Sequence, residues 1–338
     1  MRKKFTITYD AVISVENLLE AWKEFIRGKR KSVDIQQFSQ NLMDNILSLH
    51  RELANKSYSH GGYQAFNISD PKPRNIHKAS VRDRLLHHAL YRQMYPFFSR
   101  TFIADSFSCQ RQKGTHRALD RFRAFAFKVS RNHTRTCWIL KCDIRKFFAN
   151  VDQEILERIL SLYVVDERIF ALLKNIVRSF HAQQHGVGLP LGNLTSQLLV
   201  NIYMNEFDQF VKHRMKEKYY LRYCDDFALL SEDRGKLVEK IPMIRAFLSE
   251  RLKLELHPKK IFIKTIASGA DFLGWVHFSD RRIPRTTTKR RMLNRIKVHP
   301  TEATLNSYLG LLKHGRTEKL KQELVKEFYL NQEESSIL

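Results

Sequence analysis

Cysteine is scarce, at 4 in 338 residues, and Cys109, Cys137, Cys142 and Cys224 show neither CxxC spacing nor a partnering histidine pair. That pattern argues against a zinc site and for reduced thiols in an intracellular protein. No apolar run approaches the roughly 20 residues of a membrane span. The opening MRKKFTITYD is basic with no apolar stretch behind it, so no signal peptide is expected either. Internal repeats and low-complexity tracts are missing as well. So is an acidic counterweight: 35 Asp and Glu face 59 Lys and Arg, a formal charge of +24. A surplus of that size favours a polyanionic partner, nucleic acid or an anionic membrane surface. What the chain does have is apolar material, 43% of its residues, enough to bury a core and exclude a disordered chain.

The apolar spacing from Ser14 to about Asn55 is helical, through Leu18, Leu19, Trp22 and Phe25 and then Phe38, Leu42, Ile46 and Leu49, with the basic connection RGKRKS between. SHGGYQAFNISDPKPRNIHKAS has the Gly, Pro and alternation of short strands and turns. SVRDRLLHHALYRQMYPFFSRTF reads as a helix, and adjacent His87 and His88 cannot share one face of it. TCWILKCDIRKFFANVD reads as a buried strand breaking into a turn, and NLTSQLLVNIYMNEFDQFVKHRMKEK as a long helix. ADFLGWVHFS reads as one more strand. The segment after Asp280 is expected to be helical and basic: eight of the seventeen residues from Arg281 to Lys297 are Lys or Arg.

Within KYYLRYCDDFALLS, Lys218 to Ser231, two carboxylates stand side by side in an apolar run. Alone, Asp225 and Asp226 are what a solvated hairpin tip carries. Asp143 changes the reading, because it ends the apolar strand CWILKCD. Two strands that each deliver Asp to one end can converge in a sheet, where the repulsion is costly unless hard cations neutralise it. Mg²⁺ takes oxygen ligands from carboxylates and substrate phosphates. Two such ions, roughly 3.5–4 Å apart, clamp the attacking and leaving oxygens of a phosphoryl transfer.

On these residues the chain resembles a reverse transcriptase over nearly its whole length. DIRKFF resembles the first metal-binding motif of the palm and YCDD the Tyr-x-Asp-Asp box. The resemblance implies an α+β right-hand polymerase with fingers, a palm built on an antiparallel sheet, and a helical thumb. Its expected division is 1–105 for N-terminal helices and fingers, 106–278 for the palm with an interleaved fingers segment, and 279–338 for the thumb. It assigns two Mg²⁺ ions, with Mn²⁺ as a substitute, to Asp143, Ile144, Asp225 and Asp226. Lys260, in LKLELHPKKIFI, is the match to a lysine that protonates leaving pyrophosphate. Lys72 and Arg74, in DPKPRNIHKASVRDRLLHHAL, would hold the incoming triphosphate, with Leu191 and Gly192 beside it. Phe148, five residues after Asp143, would lie under the sugar and reject a 2′-hydroxyl; a phenylalanine that only fills the core is the lesser alternative. Arg111 and Lys113, in SFSCQRQKGTHRAL, together with Ser196, Gln197 and Tyr223, would contact template or primer. Gly274 belongs to the primer-grip stretch DFLGWVHF, and Arg290, Arg291 and Arg295 would face the hybrid duplex from the thumb.

GVGLPLGNLTSQ discriminates among subtypes. Pro190 is followed by Leu191-Gly192, and the motif ends Ser196-Gln197, where many reverse transcriptases carry Gln-Gly and Ser-Pro. This pattern resembles the enzymes of diversity-generating retroelements and related bacterial defence-associated reverse transcriptases, which are akin to group II intron and retron enzymes. The resemblance implies a cytoplasmic bacterial ribonucleoprotein. Its partners would be a structured noncoding RNA template, an RNA/DNA hybrid, dNTPs and, in the diversifying branch, an accessory basic RNA-binding protein, with no membrane partner. The stretch after Gly274 is expected to suffice for a small thumb but not for an RNase H or large endonuclease domain. Beside diversification, three readings stay open: antiviral defence, a non-catalytic RNA-binding scaffold, and a template-independent or protein-primed polymerase.

Overall fold

The computed structural model describes residues 2–69 and 73–337, with side chains described as far as residue 330. Four helices open the chain: α1 (Tyr9–Ile13), α2 (Val15–Phe25), α3 (Val33–Gln40) and α4 (Leu42–Ala54). The Thr8 and Ser14 side chains cap α1 and α2 by accepting from the backbone amides of Ala11 and Asn17. α2 buries Leu18, Ala21, Trp22 and Phe25, the one face that a 3.6-residue period presents. Then β1 (Tyr63–Ile68) and β2 (Arg74–Ala79) form an antiparallel hairpin, Tyr63 opposite Ala79, that is largely exposed. α5 (Val81–Phe98), capped by Ser80, returns into the core and packs on α2 and on the later α9 (Leu194–Gln209).

Between them lie α6 (Thr115–Val129), β3 (Trp138–Asp143), α7 (Gln153–Ser161) and α8 (Glu167–Arg178). After α9 come β4 (Tyr220–Tyr223), β5 (Asp226–Ser231), α10 (Arg234–Leu252) and β6 (Phe262–Thr265). β3 to β6 form one antiparallel sheet in the order β4-β5-β3-β6. Strand periodicity divides its residues between two cores. Leu140, Cys142, Phe227 and Leu229 join the large core with α5, α9 and α10, whereas Ile139, Leu221, Ala228 and Leu230 pack on Phe122 and Phe125 of α6. This is the sheet expected for a palm.

The stretch read as one strand at ADFLGWVHFS is two. β7 (Ala270–Phe272) and β8 (Trp275–His277) pair around Leu273-Gly274, both at positive φ (49° and 88°), as a two-residue hairpin turn with its second place held by glycine. β9 (Arg282–Pro284) adds a third strand where helix was expected, so the expected domain boundary at residue 278 falls inside this sheet. α11 (Thr286–Val298), α12 (Glu302–Leu312) and α13 (Glu318–Ile337) follow with their own core of Met292, Ile296, Leu305, Leu312, Leu320, Leu324 and Phe328. Among the described residues no helix is long and apolar enough to cross a membrane.

Candidate active site

β3 and β5 meet with Asp143 and Asp226 as Cα partners, so their side chains leave the sheet on the same face. Asp225 sits in the turn just before β5, reached through Cys224 at φ 59°. The backbone amide of Ile144 donates to the Asp225 carbonyl (3.1 Å), and that of His257 to the Asp143 carbonyl (2.7 Å). Three segments distant in sequence are thus hydrogen-bonded into one corner.

Charge in this corner is arranged as two pairs. Lys260 Nζ donates to Asp143 Oδ1 at 2.9 Å. Lys141, two residues before Asp143 and therefore on the same face, lies 3.1 Å from Asp226 Oδ2. Asp226 Oδ1 is buried with no hydrogen-bond partner. Burial lifts the Asp226 carboxyl to about 7, with Asp225 and Asp143 adding to the rise and Lys141 opposing it. The Asp225 carboxyl is raised too, first by burial and then by Asp143. For Asp226 the ion pair and the raised value pull in opposite directions, and desolvation wins because most of the group is out of water.

The turn itself is held by a buried ion pair. Arg222 and Asp208, both fully buried, join through Nε–Oδ1 (2.8 Å) and Nη2–Oδ2 (2.6 Å). Tyr220 Oη donates to the same carboxylate, and Arg222 also donates to the Cys224 carbonyl (2.9 Å) and to Ser106 Oγ (3.2 Å). The bidentate geometry satisfies the charge that burial would otherwise make costly. Neither Lys141 nor the Arg222–Asp208 pair figures among the residues expected from sequence. Lys141 carries a signal, a cation two places before Asp143 in the apolar strand WILKCD, and Arg222 is a lone cation in the apolar run YYLRYC.

Several of the residues expected beside the incoming nucleotide also gather. Leu189 donates to the Phe148 carbonyl and Gly188 to that of Val151, laying the loop before α9 along the segment after Asp143. Two residues on, the Leu191 carbonyl accepts from the His77 amide of β2 (2.9 Å), and Asn193 Nδ2 donates back to the His77 carbonyl (3.1 Å). Gly192 has φ 113°, and a Cβ there would stand 2.8 Å from Ile76, so glycine is required on both counts. Leu191 and Gly192 therefore lie between the Phe148 segment and the strand that carries exposed Arg74. Phe148 is half-buried against the large core; Lys72 lies outside the described residues.

The expected template and primer contacts divide. Arg111 is exposed, its guanidinium over the rings of Tyr95 (5.3 Å) and Tyr91 (5.9 Å). Lys113 turns inward instead: its ammonium donates to the carbonyls of Ile103, Ala104 and Ser106, a latch on its own loop rather than a hand toward a template. Ser196 is buried in the first turn of α9 and Gln197 half-buried beside it. Tyr223 Oη accepts from Thr115 Oγ1 (3.1 Å). On α11, Arg290 and Arg295 are exposed and Arg291 half-buried.

Residues 68–277 match the family described as reverse transcriptase (RNA-dependent DNA polymerase). The chain belongs to that family. Its curated relatives include protein YkfC of Escherichia coli K12, 26% identical over 61% of this chain and 63% of that protein. They also include the group II intron-encoded protein LtrA of Lactococcus lactis, 23% identical over 71% of this chain and 49% of that protein. The chain thus spans less than two thirds of the length of either. Among solved structures, the telomerase of Candida albicans in complex with a fragment of telomeric RNA aligns over 84% of this chain and 57% of that chain, at TM-score 0.52 and 11% identity. That likeness concerns the fold, a right-hand polymerase of mixed helix and strand. One of these relatives is a group II intron-encoded protein, and neither separates out the diversifying or defence branch.

Among the described residues no three His, Cys, Asp or Glu side chains are gathered tightly enough to cage an ion unaided. The donors present still fit Mg²⁺ in a polymerase, which is held by one or two carboxylates plus substrate phosphates. They are hard oxygens, and the unpartnered Asp226 Oδ1 and the raised Asp225 carboxyl mark unmet demand for positive charge.

Proposed function

We propose that this reverse transcriptase family member is an RNA-directed DNA polymerase that copies a dedicated structured noncoding RNA into cDNA. The observation that carries this reading is the register of β3 and β5, which sets Asp143 opposite Asp226, with Asp225 in the adjoining turn and Lys260 on Asp143. Asp143 and Asp225, with Asp226 and the Ile144 backbone adjoining, would hold the divalent ions. Such ions, when bound, would supply charge neutralisation for the attacking and leaving oxygens. Lys260, already on Asp143, is the proton donor to leaving pyrophosphate. Arg74 receives the triphosphate, and Phe148 screens the sugar against a 2′-hydroxyl. Phosphoryl transfer asks little more of a protein than positioning and charge, so no covalent nucleophile is needed.

Within this reading the diversity-generating type is favoured by Leu191. An aliphatic side chain between Arg74's strand and Phe148 offers no hydrogen bond to the incoming nucleotide, which loosens discrimination there. An accessory basic RNA-binding protein belongs to this reading. The test is to sequence cDNA that copurifies from the native host, beside an Asp225→Ala/Asp226→Ala control. Aspartate-dependent products of one RNA locus with changes at template adenines support diversification, and Leu191→Gln should lower their error rate. Faithful copies of a neighbouring noncoding RNA point to the defence type instead. No aspartate-dependent cDNA sinks the catalytic reading and leaves the scaffold.

A further inference from the structure

The three carboxylates at the ends of β3 and β5 stand in three different electrostatic states. Asp143 Oδ1 accepts from Lys260, whose side chain is 46% exposed and free to swing back into water. Asp225 has no cation within ion-pair distance among the described residues. Asp226 pairs with Lys141 at 3.1 Å, and there neither side chain is more than 15% exposed. The other oxygen of Asp226, Oδ1, is shut off from solvent with no hydrogen-bond partner. Mg²⁺ gives up its waters reluctantly. Asp143, whose lysine can leave, and Asp225, which has none, are open to such an ion; Asp226 is not.

The place of Lys141 is built into the sheet. Strand alternation sets it on the face of Asp143 and Ile139, between the two. Across the ladder it faces Ala228 of β5 on one side and Phe262 of β6 on the other. Asp226 is the diagonal neighbour on β5, a separation that a long side chain spans. Ala228 is small and fully buried, which leaves the lysine stem room to lean toward Asp226. The Phe262 ring centroid lies 5.7 Å from the ammonium. Ile139, Ala228 and Leu230 on this face are apolar and buried. A methionine would fill the same rung without the cost of taking a charge out of water. Packing therefore does not explain a lysine here, whereas the counter-charge on Asp226 does.

We propose that Lys141 is a positioning residue for nucleotidyl transfer: its buried ammonium stands in for a cation at Asp226, so that this carboxylate is neutralised from inside the sheet and the divalent ions are left to Asp143 and Asp225. The proposal rests on the reading of this corner as a polymerase site and narrows the part of Asp226 in it to that of a neighbour. Without Lys141, Asp226 is an uncompensated charge beside two others, and it competes with them for the ions.

The test uses the full chain in mildly alkaline buffer, with Mn²⁺ binding read by electron paramagnetic resonance and melting temperature read in EDTA and in Mg²⁺. Lys141→Met should bind Mn²⁺ on the order of 10-fold more tightly, because a fixed positive charge beside the ions is gone. It should also melt lower than the wild type in EDTA and regain most of that loss in Mg²⁺; a lysine that only packs would cost the same in both. Asp226→Asn, which leaves Lys141 unpaired, should bind Mn²⁺ on the order of 10-fold more weakly, and Lys141→Met/Asp226→Asn should return to within about 3-fold of the wild type. A double variant that stays as weak as Asp226→Asn would overturn the proposal, since Asp226 would then be a ligand. So would Lys141→Met with unchanged Mn²⁺ affinity. Should Lys141→Met not fold, Asp226→Asn against the double variant carries the same comparison. In extension of oligo(dT) on poly(rA), Lys141→Met should lower kcat about 10-fold or more with the KM for dTTP little changed, and a raised KM at unchanged kcat would contradict a positioning role. If the wild type extends no primer while the Mn²⁺ comparison holds, the polymerase reading falls and the charge arrangement stands.

Discussion

In the four-stranded sheet, cations are taken up inside the protein. Arg222 is fully buried on Asp208 and Lys141 is buried on Asp226, while Lys260, exposed in the turn before β6, rests on Asp143. In the β1–β2 hairpin and the helices beside it, Arg74, Arg30 and Lys31 stay in water. The hairpin is tied to the loop before α9, where the amide of His77 donates to the Leu191 carbonyl and its carbonyl accepts from Asn193. The contrast teaches how one chain serves two electrostatic needs. A corner that must hold like charges together has to be over-determined by hydrogen bonds, whereas a surface that meets phosphates works by leaving its charges uncompensated.

The largest expected effect tests the crowded corner. Asp225→Asn should cut primer extension by on the order of 10³-fold or more. It should leave the melting temperature equal or higher, because it removes a buried charge that Asp143 repels. A drop in stability would mean that the carboxylates are not in conflict. Next is the anchor of the turn. Arg222→Met leaves Asp208 buried and unpaired and should cost about 3–5 kcal/mol in denaturant unfolding, with much of the loss recovered in Arg222→Met/Asp208→Leu. No recovery would show that Arg222 acts through the Cys224 carbonyl rather than through its ion pair.

A smaller effect concerns two buried neutral histidines outside the four-stranded sheet. Burial pushes His277, on β8, and His87, on α5, each down to about 3. Both are held neutral in the fold, so their contribution is complete above the unfolded value of about 6.5 and is lost as pH falls from there toward the folded value. Stability should fall by about 1 kcal/mol per histidine by about pH 5.5, and His277→Leu should remove its share of that slope. A pH-independent melting temperature over this window would contradict the burial of both. The smallest effect lies on α11. Arg290→Ala/Arg295→Ala should flatten the salt dependence of hybrid binding by ~0.7–0.9 log units for each phosphate left without its cation. An unchanged slope would make that face ordinary solvated helix.

Much of the palm is legible in the sequence, because its signals are local. An apolar strand ending in Asp143, an acidic pair between two short strands, and a long helix after GVGLPLGN each follow from a period of 2 or 3.6 and from turn residues. Lys141 was legible in principle, since a cation alternating with Asp143 along a strand must share its face, and Arg222 stood out as a lone cation in an apolar strand. Their partners Asp226 and Asp208 were not, because register and helix packing choose them. Lys113 was misleading for the same reason: nothing local distinguishes a lysine that reaches outward from one whose ammonium closes on three carbonyls of its own loop. β9 went unseen because a three-residue strand carries too little pattern to outweigh the basic helix behind it.

The sequence by itself determined the elements and the chemical types: hard-oxygen donors at strand ends, an uncompensated positive surface, and the glycine that Gly274's left-handed turn needs. Only the tertiary structure decided which charges are neutralised internally and which remain for a ligand. That outcome depends on burial and on partners far apart along the chain, such as Asp143 with Lys260 and Asp34 with Lys78. Desolvation and hydrogen-bond geometry, which no run of neighbouring residues encodes, set the sign of each case.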